Sequence, residues 1–64
     1  MNKNTLKGNW NEYKGKIKQQ WGKLSDDDIE QINGKSDELV GKIQKAYGKS
    51  KEDAQKEVDQ MLKS

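Results

Sequence analysis

GKIKQQWGKLSDDD, residues 15–28, recurs as GKIQKAYGKSKEDA at residues 41–54. Both copies hold Gly-Lys-Ile, an aromatic residue (Trp21 or Tyr47), Gly-Lys, and an acidic opening to the next segment. An apolar helical run, a glycine stop and a capped acidic start make one helix–turn–helix corner. Two corners imply four short helices. The sequence therefore predicts an all-α fold of two packed α-hairpins built from an internal helix-turn-helix repeat. With no Pro and few β-branched residues, no stretch reads as a strand.

Outward from the first copy, Asn9 is placed to cap a helix, with Glu12 at N3 closing a capping box. Trp10, Tyr13, Ile17 and Trp21 then fall on one helical face, and Gly22 stands where a left-handed residue ends the helix. The two Trp and two Tyr are the bulkiest side chains available. They read as core rather than as a stacking platform for bases. Residues 1–8 hold one large apolar residue after Met1, Leu6, and are expected to fray, leaving 9–64 as a single helical domain.

Between the copies, Ser25 reads as an N-cap with Asp28 as its N3 partner, and Leu24 and Ile29 as a hydrophobic staple. Asp26, Asp27 and Asp28 complement the helix dipole; they lack the alternation, central Gly and distal Glu of a calcium loop. Ile29 and Ile32 give the second helix its apolar edge, Gly34 ends it, and Ser36 is placed to cap the third. Leu39, Val40, Ile43, Ala46 and Tyr47 line that helix, which Gly48 closes. Ser50 and Asp53 repeat the capping box, and Ala54, Val58, Met61 and Leu62 share one side of the fourth helix. Gly15 and Gly41, equivalent in the repeat, sit about 160° round their helices from Tyr13 and Ile17 and from Leu39 and Ile43. Both are expected to face solvent.

At 64 residues this is one domain near the small end of what folds alone, with an expected stability of about 2–5 kcal/mol. Charged residues make up 38% and apolar ones 28%, which favours disorder, but a net charge of +2 supplies little self-repulsion. Charge is also blocked along the chain. Residues 1–24 carry six Lys against Glu12 alone, and residues 25–34 carry Asp26, Asp27, Asp28 and Glu30 with no base. A basic block (35–51) and an acidic one (52–64) follow, and such blocks attract one another in a compact chain.

Cys and His are both absent, which removes disulfides, thiolate ligands, the usual zinc ligand and the usual general base. The longest apolar run is too short for a signal peptide or a membrane span, and the expected location is the cytoplasm. Gly-Lys-Ser at 34–36 and 48–50 invites a P-loop reading, but the earlier Gly of that loop is replaced by Ile29 and Ile43. What remains is a lysine and free N–H groups at a helix start, where an anion could rest. Carboxylates sit in solvated first turns or beside Lys, and Ser25, Ser36 and Ser50 have capping roles and no imidazole to activate them. No enzyme activity, cofactor or metal site is expected.

All thirteen basic residues are Lys, so bidentate forks onto phosphate or guanine are missing. The surface left for weak anion or polyanion contact is Lys14, Lys16, Lys18, Lys23, Lys35 and Lys49, with Lys7 ahead of them. Nucleic-acid binding there is expected to be weak or absent, since the acidic run Asp26–Asp28 follows closely and salt screens the rest.

GNWNEYKGKIKQQWGKLSDDD, followed by GKSDELVGKIQKAYG and an acidic last helix, closely resembles the CsbD-like family of small bacterial stress proteins, and within it the YjbJ type. The resemblance spans residues 7–58. It is carried by the Gly-Asn-Trp opening, by Gln-Trp-Gly-Lys-Leu and by Leu-Val-Gly-Lys-Ile-Gln. It implies a four-helix fold and accumulation in the cytoplasm under general stress, without a known activity, cofactor or site. The tail from Asp59 to Ser64 departs from the longer, aromatic tail of some members. Together with a mean hydropathy of −1.40, this leads to a non-enzymatic, stress-associated, hydrophilin-like protectant, expected as a monomer. The alternatives are a small protein-binding module, or a weak binder of nucleic acid or anionic membrane through the Lys-rich first helix.

Overall fold

A computed structural model describes residues 3–63, with side chains from Leu6 onward. Five α-helices follow one another: α1 (Lys3–Gly8), α2 (Trp10–Gln20), α3 (Asp26–Ile32), α4 (Ser36–Tyr47) and α5 (Lys51–Lys63). No strand occurs among the described residues. The all-α class is as expected; the helix count is five rather than four. The additional helix lies in the stretch read as a frayed end, where Leu6 is fully buried. One leucine, worth about 2 kcal/mol or more once buried, is a weak signal in sequence but a real anchor when a seat exists for it. Met1 and Asn2 lie outside the described residues.

Periodicity placed the core correctly. Tyr13, Ile17 and Trp21 are buried along and just after α2, Ile29 and Ile32 on α3, Leu39, Val40 and Ile43 on α4, and Ala54, Val58, Met61 and Leu62 on α5. Leu24, in the α2–α3 turn, joins them, and Trp10, Ala46 and Tyr47 pack half-buried against the same cluster. α4 packs most extensively against α5, and the other main contacts run from each helix to the next in the chain. The radius of gyration is 10.4 Å, against about 11 Å for a folded chain of this length and about twice that for an unfolded one. The apolar minority is therefore concentrated enough to close a core.

Helix ends show where local signals win and where packing overrides them. The Ser25–Asp28 capping box is complete: Ser25 Oγ accepts from the Asp28 N–H at 3.1 Å, and Asp28 Oδ2 accepts from the Ser25 N–H at 3.2 Å. At α5, Ser50 Oγ accepts from the Asp53 N–H at 3.1 Å. Asn9 is the N-cap of α2, but its side chain makes no capping bond. With α1 running straight into it, its backbone (φ −119°, ψ 34°) is not extended as a capping residue requires. Ser36 does not cap α4 either. Lys35 holds that position, and Ser36 begins the helix as a buried small residue. The cause is the tight turn before it, in which Asn33 (φ 46°) and Gly34 (φ 80°) are both left-handed and the Lys35 N–H reaches Ile32 O at 2.9 Å.

The two repeated glycine stops also differ. Gly48 is left-handed (φ 66°) and its N–H donates to Gln44 O at 2.9 Å, as the sequence predicts. Gly22 is not left-handed. Here α2 ends a residue earlier, at Trp21 (φ −122°, ψ 73°), because the indole is drawn into the core and leaves helical geometry to get there.

Candidate functional site

The two corners meet around five side chains. Trp21 leaves the end of α2 almost fully buried and donates its Nε1–H to Glu57 Oε1, on α5, at 3.1 Å. The other Glu57 oxygen takes the Lys49 ammonium. Tyr47, the repeat equivalent of Trp21, accepts the Lys23 backbone N–H on its hydroxyl at 3.2 Å. Lys23 and Lys49, themselves equivalent, both lie over the Tyr47 ring, at 5.1 and 5.9 Å from its centre. Each aromatic of the repeat thus reaches across to the other half of the molecule. Two cations on one ring face a shared π-system, worth about 0.5–1 kcal/mol apiece at an exposed site.

The electrostatics of this cluster are those of a clasp. The Lys49 hydrogen bond first, and the Trp21 indole second, hold the Glu57 carboxyl below the ordinary carboxylate range, against an opposing effect of burial. Asp28 is likewise held low, chiefly by the Ser25 N–H, with the Ser25 hydroxyl and Lys42 adding to it. A carboxylate held low is a poor proton acceptor at neutral pH, the reverse of the tuning that general acid–base chemistry needs. Among the described residues no three His, Cys, Asp or Glu side chains stand where they could share a metal ion.

Most lysines of the expected polyanion surface have partners within the molecule. Lys14 pairs with Glu30 at 3.0 Å. Lys18 pairs with Asp26 at 3.2 Å and also donates to Leu24 O at 3.2 Å. Lys16 lies 5.2 Å over the Tyr13 ring, Lys23 and Lys49 over Tyr47, and Lys35 is exposed at the start of α4. Lys42, outside the expected set, bridges Asp28 at 3.5 Å and Gln31. Every one of these ion pairs joins a basic block of the sequence to an acidic one. The attraction between blocks read from the sequence is visible as geometry. Glu57, the hub of the clasp, was missed, and no local signal could have found it, since its indole partner lies thirty-six residues away.

The family model for CsbD-like proteins matches residues 4–56, taking in four of the five clasp residues. The chain belongs to the CsbD-like family. The YjbJ resemblance read from the sequence holds as well. The UPF0337 protein YjbJ of Escherichia coli O6:H1 is 59% identical over 63 residues, covering 98% of this chain and 91% of that protein. The UPF0337 protein ECA0631 of Pectobacterium atrosepticum is 60% identical over 58 residues, 91% of this chain and 84% of its own. A more partial relative, the UPF0337 protein Atu4724 of Agrobacterium fabrum, is 60% identical over 35 residues, 55% of this chain and 52% of its own. No solved structure matches the chain. No helix among the described residues of this CsbD-like chain is long and apolar enough to cross a membrane.

Proposed function

We propose that this chain is a non-enzymatic, stress-associated protein of the cytoplasm, a hydrophilin-like protectant that works without a stoichiometric binding site. The observation that carries the reading is the pairing of charge between sequence blocks. Lys14, Lys18, Lys42 and Lys49 direct their charge at carboxylates of the same molecule, and Lys16 and Lys23 lie over tyrosine rings. What faces outward is a dense, nearly neutral mosaic of ammonium, carboxylate and amide groups. Such a surface holds water and presents no concentrated positive field to a polyanion. In this reading the two copies of the repeat are two α-hairpins, joined by the Trp21–Glu57 and Lys23–Tyr47 bonds, and the monomer is the working form.

The test is protection of an unrelated labile enzyme through drying or heating, with activity measured against added mass of this protein. A protectant gives protection that rises with mass and exceeds that of an equal mass of albumin. Saturation near one molecule per enzyme would favour a protein-binding module instead. A micromolar or tighter complex with duplex DNA at about 150 mM salt, beyond ordinary non-specific binding, would favour polyanion contact through Lys14, Lys16, Lys18, Lys23, Lys35 and Lys49.

A further inference from the structure

We propose that α1 is a detachable strap, which lifts off the α3–α4 turn and returns while α2 to α5 stay folded. Among the described residues, two contacts mark its seat on that turn. Leu6, its one large apolar residue, is fully buried. Beside it, Gly34 is buried against the α1 backbone: a Cβ placed there would stand 2.9 Å from Lys7 Cα and 3.3 Å from Lys7 Cβ. Every other glycine has open space at that position. The turn presents this bare glycine through two successive left-handed residues, Asn33 and Gly34. The seat is shaped for a backbone to lie on it.

What makes the strap separable is the imbalance between its attachment and the rest of the fold. Each of α2 to α5 buries at least two side chains in the shared core, whereas α1, among its described side chains, adds one leucine. A six-residue helix is far shorter than the roughly 12–15 residues that sustain a helix alone, so α1 is helical only while docked. Burial of one side chain offsets only part of the entropy lost in ordering six residues, so the attachment is weak. Opening of this kind is sub-global, reached well below the free energy of complete unfolding. It would uncover the apolar seat of Leu6 that the closed protein hides.

The sequence contains no cysteine, so a single substitution gives a unique thiol. Leu6→Cys reports the strap and Val58→Cys, at a fully buried position on α5, reports the body. Under native conditions the Leu6→Cys thiol is expected to react with a thiol reagent at least 100-fold faster than the Val58→Cys thiol, with less acceleration by low denaturant. Adding Gly34→Ala should speed the Leu6→Cys reaction a further tenfold or more relative to Val58→Cys. Adding Gly48→Ala, which imposes the same left-handed strain (φ 66°) in open space on the body, should speed the Val58→Cys reaction while leaving the Leu6→Cys rate unchanged, so that the ratio falls. Circular dichroism guards against simple misfolding: Leu6→Cys must keep the helicity and cooperative melt of α2 to α5. Equal rates at the two thiols, equal effects of the two glycine changes on the ratio, or loss of the whole fold in Leu6→Cys would each overturn the strap.

Discussion

The Trp21 indole N–H and the Glu57 carboxylate meet at 3.1 Å, tying the end of α2 to the middle of α5. This bond satisfies the one polar atom of the largest buried side chain, and it does so with a charged acceptor, the stronger kind of hydrogen bond. It is also the point where the two halves of the repeat cease to be equivalent, because Tyr47 sends its hydroxyl to Lys23 instead.

Trp21→Ala should cost about 3–5 kcal/mol, enough to unfold a domain this small. Trp21→Phe keeps most of the apolar volume and loses the donor, so it should cost less, about 1.5–3 kcal/mol as for a hydrogen bond to a charged group. Urea denaturation followed by circular dichroism measures both. A Trp21→Ala protein that melts like the parent would dismiss the packing described above.

Acid should loosen the clasp. Glu57 has a folded-state pKa lowered from 4.5, so the unfolded chain binds its proton more readily and stability rises with pH. Its contribution is fully present above pH 4.5 and is lost as pH falls through the lower folded value. Asp28, lowered from 3.8, acts in the same direction at still lower pH. Melting temperatures from pH 7 to pH 3 should therefore fall at the acid end, and Glu57→Gln should flatten the upper part of that fall. An unchanged acid slope in Glu57→Gln would show that Glu57 does not carry it.

Gly15 and Gly41 face open space, with nothing within 4 Å of where a methyl group would stand. Both lie inside helices, where Ala is preferred over Gly by roughly 0.5–1 kcal/mol. The double change Gly15→Ala with Gly41→Ala should add about 1–2 kcal/mol, read as a higher melting temperature. A lower one would place a neighbour on that face.

Gly22 and Gly48 are interchangeable in the repeat and should respond oppositely. Neither has a neighbour within 4 Å, so only backbone conformation differs. Gly48→Ala forces an L side chain into a left-handed position and should cost about 1–2 kcal/mol. Gly22→Ala meets no such strain and should be neutral or stabilise by up to about 1 kcal/mol. Denaturant midpoints of the two single variants decide it.

The parts of this fold that sequence revealed are those governed by short-range rules. Helical spacing identified Tyr13, Ile17, Leu39, Ile43, Val58 and Met61 as core, and Ser25 with Asp28 wrote its own helix start in four residues. Reading failed where a distant partner decides. Leu6 looked isolated until α1 found its seat, Ser36 lost its capping role to a turn shaped by Asn33 and Gly34, and Gly22 kept an ordinary backbone because Trp21 had already turned. The lysine surface was legible as a list of residues but not as an arrangement. The attraction between charge blocks was legible, but not which residues meet: Lys14 with Glu30, Lys18 with Asp26, Lys42 with Asp28 and Lys49 with Glu57.

Because each helix packs chiefly on the one before or after it, few contacts require distant parts of the chain to find each other first. Loop-closure entropy is then small for most steps of assembly, the Trp21–Glu57 bond across thirty-six residues excepted, and chains of this topology reach the native state in roughly microseconds to milliseconds. Proteins that fold this quickly leave little time for exposed apolar segments to associate with other chains. After heating or drying, a chain of this topology is expected to regain its fold on cooling or rewetting without a chaperone.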